Sequence, residues 1–357
     1  MDNDVEELRA TAALTDEELR RIRMAECCHD CDSIEKVVGA GEVFDGPSGR
    51  FQLMHNGVKV AEHCYDGPWM TELIHRMRGH HEPQEERVFH EVMKLVSPGS
   101  TMVELGCYWS YYSLWFNQVV EGASLLLLEP MPENLAAGRR NFALNAARGE
   151  FVHGLIGARS ETNSRIRGED RIVRIVPTYS VDDLTSEHGV ERVELLLIDV
   201  QGAELDALRG AVELIRRGSL RFVFVSTHHH QISSEPLMHQ RCIRFLEEHG
   251  AHVIARHNVI ESFSGDGLVV ASFDPRDRGL PEVELTRNWP TNSIWRELEF
   301  DLDAAWHSNL IGVAARKNAI ASLASAAYRV PGTLPIVDWT RQQISAGPIL
   351  RRLGRRD

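Results

Sequence analysis

Val193-Glu194-Leu195-Leu196-Leu197-Ile198-Asp199-Val200-Gln201-Gly202-Ala203-Glu204 is the stretch on which the reading of the fold turns. A short continuous apolar run cannot be a half-exposed strand, which would alternate apolar and polar residues. It reads as a strand covered on both faces. An acid and a glycine end it, and Ala203 to Ile215 then has helical composition. The same unit recurs on both sides. Thr101 to Leu105 and Ser124 to Leu128 are strand-sized apolar runs, each followed by a helical segment, Tyr108 to Val120 and Pro132 to Ala147. Phe151 to Ile156 reads as a third strand and Arg171 to Val176 as an extra one. Arg221 to Thr227, Ala251 to Arg256 and Gly267 to Phe273 complete the set, with Pro236 to His249 helical. Alternating strands and helices predict a parallel sheet with helices on both faces. The last two strands are too close in sequence for a crossover and must pair antiparallel. The expected fold is therefore α/β: a seven-stranded doubly wound sheet, Rossmann-like, with an antiparallel last strand.

Upstream, Thr15 and Glu18 have the spacing of a capping box. Gly39 to Gly67 punctuate short apolar pieces, with Asn56-Gly57 as a hairpin turn between Phe51–Met54 and Val58–Val60. A helix is expected near Trp69 to Met77. Pro83 to Leu95 has helical spacing and Ser97-Pro98-Gly99 ends it. Three regions follow: 1–80, a helical and β lead-in serving substrate, lid or oligomer contacts; 81–275, the catalytic domain; and 276–357, a helical or irregular extension with Trp289, Trp295, Trp306 and Trp339 and a basic end.

The chain has 357 residues and a formal net charge of -13, from 39 basic against 52 acidic side chains. That balance argues against nucleic acid as a partner. No apolar run is long enough to span a membrane. The acidic start, Met1 to Glu7, carries no export signal, so the expected compartment is cytoplasmic. Six cysteines make no disulfide framework. Cys28 and Cys31 form one C-x-x-C, and a single pair is a weak zinc signal; His63-Cys64 would have to complete it. Ordinary packing is the expectation there.

In doubly wound sheets ligands bind beyond the carboxyl ends of the strands. Four places qualify. Glu104-Leu105-Gly106-Cys107-Tyr108-Trp109-Ser110 turns from strand to helix, and Gly106 allows close backbone approach to a ligand. Glu104 suits a cationic group better than a phosphate, and G-x-G-x-x-G is absent. Glu129-Pro130 ends the next strand, where a carboxylate can accept both hydroxyls of a ribose. Asp199 emerges where a transferred group would sit, and Glu204 is expected to cap the following helix. His228-His229-His230 follows the next strand, and an imidazole of ordinary pKa suits proton removal from a hydroxyl. His228, His229 and Asp199 are the candidate catalytic residues, with His230 as a substrate contact. His80-His81-Glu82 precedes the helix at Pro83 and is expected to lid the cleft. Glu261 to Gly267 is either a plain hairpin or a polar loop reaching the substrate.

These motifs resemble a known family. Glu104-Leu105-Gly106, Leu127-Leu128-Glu129-Pro130, Ser180 to Leu184 and Ile198 to Ala211, with Glu82-Pro83 upstream, are similar to the FkbM family of S-adenosylmethionine (SAM)-dependent methyltransferases. The likeness covers about 82–273. It implies the class I methyltransferase fold, SAM as cofactor, and methylation of a hydroxyl on a sugar or natural-product-type acceptor. Glu104, Gly106, Tyr108, Ser110, Glu129, Pro130 and Asp199 would then hold SAM. The chain departs from the family where Glu104 replaces Asp, Tyr108 replaces Asn, Ser110 replaces Gly, and Gln201 replaces Glu. Two other functions stay open. One is metal-assisted O-methylation, with Asp199 and a nearby histidine on a divalent ion. The other is a binding or scaffold protein on a degenerate fold. A homo-oligomer is a further expectation.

Overall fold

The computed structural model describes residues 14–168 and 171–295. Trp306, Trp339 and the basic end lie outside the described residues, as does most of the expected C-terminal extension. Helix α1 (Asp16–Glu26) starts at Thr15, where both hydrogen bonds of the capping box form. Strands β1 (Val43–Phe44), β2 (Phe51–Leu53) and β3 (Lys59–Ala61) make an antiparallel three-stranded sheet, with Asn56-Gly57 in the β2–β3 turn. Helices α2 (Pro68–Arg76) and α3 (Pro83–Met93) follow, both opened by proline, whose fixed φ suits a first helical turn.

The main sheet then builds from β4 (Thr101–Leu105), β5 (Ser124–Glu129) and β6 (Glu150–His153), with α4 (Tyr111–Val119) and α5 (Pro132–Leu144) between them. A second small sheet interrupts it: β7 (Leu155–Ile156), β8 (Glu161–Arg167) and β9 (Val173–Tyr179), ordered β7-β9-β8. Helix α6 (Val181–Glu187) leads to β10 (Val193–Ile198), α7 (Glu204–Arg209), α8 (Val212–Arg216) and β11 (Leu220–Thr227). The short α9 (His230–Ser233), α10 (Met238–Glu248), β12 (His252–His257) and β13 (Gly267–Ser272) complete the order. The seven-stranded sheet runs β12-β13-β11-β10-β4-β5-β6. Every neighbouring pair from β11 to β6 is parallel, and β13 is antiparallel to both its neighbours. This is the expected Rossmann-like doubly wound sheet with one antiparallel strand.

Two core layers explain the order. Alternate residues of a strand point to opposite faces. Met102, Leu195, Leu197, Phe222 and Phe224 pack on one face with α3, α4 and the lead-in residues Ile22, Met54, Trp69 and Leu73. Val103, Leu105, Leu196, Ile198, Val223 and Val225 pack on the other with α6, α7, α8 and α10. The lead-in therefore completes one of the two layers. All six residues of β10 are buried, as a strand covered on both faces requires.

Three expectations are corrected. The run Phe151–Ile156 splits at Gly154 into β6 and β7, which belong to different sheets. The extra strand near Arg171 is one arm of a hairpin whose other arm, β8, was not foreseen. The helix from Ala203 to Ile215 breaks at Gly210. A Cβ there would lie 2.6 Å from the Gly157 carbonyl oxygen. Asp182 accepts the Glu213 and Leu214 N–H groups, both at 2.9 Å, and so starts α8 anew.

Candidate active site

Parallel register aligns the strand ends. Leu105 pairs with Ile198, and Ile198 with Val225, so Gly106, Asp199 and Ser226 emerge side by side. Gly106 has φ +77, and a Cβ built on it would lie 1.8 Å from the Asp199 carbonyl oxygen. The glycine is thus required by the approach of two strand ends. Any side chain there would force β4 and β10 apart.

His228 is the centre of the β10–β11 end. It is 4% exposed. Its Nδ1 lies 2.5 Å from the fully buried carboxylate of Glu204, which also accepts the Gly202 N–H at 2.9 Å. Its Nε2 faces Asp199 at 3.3 Å and Asp266 at 3.7 Å. Burial alone would push this imidazole down. Asp266, Glu204 and Asp199 outweigh burial and hold it up at about 10. His228 is therefore an imidazolium at neutral pH. This corrects its reading as a free base of ordinary pKa. Asp199 moves the opposite way. Enclosure pushes it up, His228 opposes, and Asp266 and Glu82 add to the rise, leaving it at about 7. Its side chain keeps 40% of its surface open at the mouth of the recess. Asp266 brings the loop between β12 and β13 against His228.

The start of α3 supplies the second wall. His81 lies between Glu86, at 2.8 Å from Nδ1, and Glu82, at 3.3 Å from Nε2. Burial opposes its charge, but Glu82 and Glu86 hold it up at about 10. Tyr112 donates its hydroxyl to Glu82 at 3.2 Å. Ser226 donates to Glu85 at 2.7 Å, and burial beside Glu82 and Asp199 pushes the Glu85 carboxyl well above its usual range. Tyr65 stacks flat on Trp109 at 4.6 Å and meets His81 edge-on at 5.7 Å. His81 and Glu82 thus join the recess, while His80 turns to the other side of Glu86, against His55.

The first loop is tightly held. Glu129 accepts the N–H groups of Tyr108 at 3.2 Å and Met131 at 2.9 Å, and Asn134 at 3.3 Å. Burial pushes its carboxyl up against these bonds. Tyr108 and Ser110 both adopt positive φ, +36 and +62. Ser110 is fully buried and its Oγ has no hydrogen-bond partner. Pro130 gives its carbonyl to His153 at 2.9 Å. Glu104 is turned onto the Ser113 hydroxyl and burial raises it to about 8, so it is a buried acid under the loop rather than an exposed anion. His229 caps α9 by accepting the Gln231 N–H at 3.3 Å and stacks on Trp295 at 4.1 Å. His230 lies against it at 4.1 Å. The triplet thus sends His228 alone into the cluster with Asp199.

The sequence reading missed Tyr65 and Tyr112, named Asp266 only within its loop, and gave Glu85 no more than a place in the His80–Glu86 cluster at a helix start. One signal was available. Glu85 shares its helix face with Val88, Phe89 and Val92, all buried, so a carboxylate stood on an apolar face. An open cleft of about 440 Å³ lies instead at the amino ends of β4 and β5, lined by Thr101, Ser124, Glu150, His188 and Arg192 among others. It contains none of the cluster above, and chemistry in this sheet type sits at the other end.

Residues 99–253 match the Methyltransferase FkbM domain. No curated protein matches the chain. Among solved structures, similarity extends to a precorrin-6y C5,15-methyltransferase from Geobacter metallireducens, at 15% identity and TM-score 0.34, over 52% of this chain and 86% of that one. TrmK of M. capricolum, in complex with S-adenosyl-homocysteine, is similar at 9% identity and TM-score 0.36, over 72% of this chain and 93% of that one. A putative rRNA-methylase from Clostridium thermocellum is similar at 12% identity and TM-score 0.37, over 53% and 94%. Over residues 99–253, less than half of its length, the chain thus matches the model of the FkbM methyltransferase domain.

Proposed function

We propose that this protein is a SAM-dependent O-methyltransferase acting on a hydroxyl of a small sugar- or natural-product-type molecule. The observation that carries the reading is Asp199, half-open and held near neutrality, beside the buried His228 at the carboxyl ends of β10 and β11. The residues present fit the cofactor. A carboxylate has about four acceptor sites, and Glu129 uses three, leaving room for a ribose hydroxyl. The orphaned Ser110 Oγ lies in the same loop. The recess is rich in carboxylates, which suits a cationic ligand. Bound SAM supplies an electrophilic methyl on a sulfonium.

The chain's own part is to orient and to take a proton. Glu129 would hold the ribose, and Gly106, Tyr108, Ser110 and Pro130 shape the loop around it. Glu104 supports that loop from below through Ser113. The acceptor hydroxyl would donate to Asp199, whose carboxylate takes the proton as the oxygen attacks. His228, charged and fixed by Glu204, steadies Asp199 as an anion before transfer. His81, Glu82 and the Tyr65–Trp109 pair line the acceptor side. Alignment supplies most of the rate, with effective molarities of order 10⁵ M or more in good cases. The base adds about 10²–10⁴. The metal-assisted variant is weaker, because an imidazolium offers no lone pair to an ion. Methyl transfer from radiolabelled SAM to a panel of hydroxylated acceptors, with Asp199→Asn as control, tests the reading. Transfer to none of them, by protein that binds SAM, would overturn the acceptor class.

A further inference from the structure

The open face of the recess is lined by carboxylates, and the cations that answer them lie behind it. Glu82, Asp199 and Asp266 keep 14%, 40% and 29% of their side-chain surface, against 1% for His81 and 4% for His228. Each imidazolium is also held from its buried side by a second carboxylate, Glu86 or Glu204. Neither therefore neutralises the open face in full. Arg21, which also acts on Asp266, lies over the Trp69 ring and donates to the Ser264 carbonyl at 3.4 Å. Glu82 takes both Tyr112 and His81 on Oε2, and Asp199 and Asp266 meet His228 through Oδ1, so each retains acceptor capacity.

Glu85 adds an observation of a different kind. It is 7% exposed, and its Oε2 accepts the Ser226 hydroxyl at the end of β11. Its Oε1 is buried beside Glu82 and Asp199 with no hydrogen-bond partner. An orphaned buried acceptor is costly, and an N–H donor bound in the recess would satisfy it. The charges of Glu82, Asp199 and Asp266 all act on the Tyr65 hydroxyl, which sets its half-buried ring in the same wall, 5.2 Å from Tyr108. Aromatic rings beside carboxylates are the surroundings of an organic cation. Glu85 and Asp266 act at the ends of β11 and β13, whereas β10 and β4 stand between β11 and the Glu129 end of β5. The cation they suit is the acceptor's rather than the cofactor's.

We propose that the acceptor is an amino alcohol or amino sugar, its ammonium held by Glu82, Glu85 and Asp266 while its hydroxyl faces Asp199. The inference rests on the methyltransferase reading and narrows its acceptor. An ammonium has three donors, one for each of the three carboxyls. The hydroxyl oxygen bonds to the methyl carbon as the carbon–sulfur bond breaks, and the hydroxyl proton passes to Asp199. The ammonium keeps its protons, so its nitrogen has no lone pair and is not methylated.

The test measures methyl transfer from radiolabelled SAM to matched acceptors in the presence of EDTA: glucosamine against glucose and N-acetylglucosamine, and serinol against glycerol. The ratio of kcat/KM should favour the amine of each set by about ten- to hundredfold, the span of one charge-assisted hydrogen bond. Glu82→Gln and Asp266→Asn should shrink that ratio by raising KM for the amines more than for the neutral members. The product should carry its methyl on oxygen. Equal or faster transfer to the neutral members would overturn the inference and leave the methyltransferase reading standing. A methyl found on nitrogen would overturn it too. So would a preference for the neutral members that appears when magnesium replaces EDTA, which would assign the recess to a metal ion. Transfer to no member, by protein that binds SAM, would overturn the inference together with the acceptor class it narrows. The wild-type comparison decides even if the variants do not fold.

Discussion

Replacing Glu204 by glutamine removes one negative charge from the pocket of His228 and little else. Glutamine keeps the shape and one carbonyl oxygen for the Gly202 N–H. The bond from His228 Nδ1, at 2.5 Å to a fully buried carboxylate, is charge-assisted. Such bonds are worth roughly 1.5–3 kcal/mol. At 1.36 kcal/mol per unit, His228 should fall by about 1–2 units from its value near 10. The sign for stability follows. A histidine raised from 6.5 to about 10 stabilises the fold fully below pH 6.5 and loses that contribution as pH rises through 10. The wild type should thus be more stable than Glu204→Gln by about 1.5–3 kcal/mol between pH 6.5 and 8. The gap should close as pH approaches 10. Urea unfolding across this range measures the gap, and histidine NMR titration gives the two pKa values directly. A wild-type His228 that titrates near 6.5, or a gap independent of pH, would refute the electrostatic account of the site.

Asp199→Asn should lower turnover by about 10²–10⁴ while SAM binding stays within a few-fold, seen by kinetics beside calorimetry. Glu129→Ala should weaken SAM binding and also destabilise the fold, because it orphans the Tyr108 and Met131 N–H groups; unchanged affinity would remove Glu129 from the cofactor site. Glu85→Gln should flatten the loss of wild-type stability as pH rises above the ordinary carboxylate range, since burial raises Glu85 in the fold while the unfolded chain gives up the proton; urea unfolding at several pH values checks it. Gly106→Ala should destabilise by several kcal/mol, given the 1.8 Å approach to Asp199, and a normal melting temperature would contradict that geometry.

Much of the fold was legible because its central strands are covered on both faces. Runs such as Leu195-Leu196-Leu197-Ile198 have no other use in an α/β chain. Strand β8 was not, for the same physical reason in reverse. Glu161 to Arg167 has no fully buried residue, so no hydrophobic pattern marks it. That Asp199 and His228 come together at the ends of β10 and β11, 3.3 Å apart, was legible, since register follows from topology. Their protonation was not legible. It depends on Glu204 and Asp266, which reach His228 from different loops and act through burial. Glu104 illustrates the same limit. Its place at a strand end was readable, but its turn onto Ser113 was not.

The central claim is that the loop from Gly106 to Ser110, with Glu129 beneath it, receives SAM. Calorimetric titration of the purified protein with SAM and with S-adenosyl-homocysteine tests it most directly. The account predicts binding of both in the micromolar range, weakened in Glu129→Ala and retained in Asp199→Asn. Absence of binding by folded wild-type protein would contradict it, and would leave a methyltransferase fold put to another use.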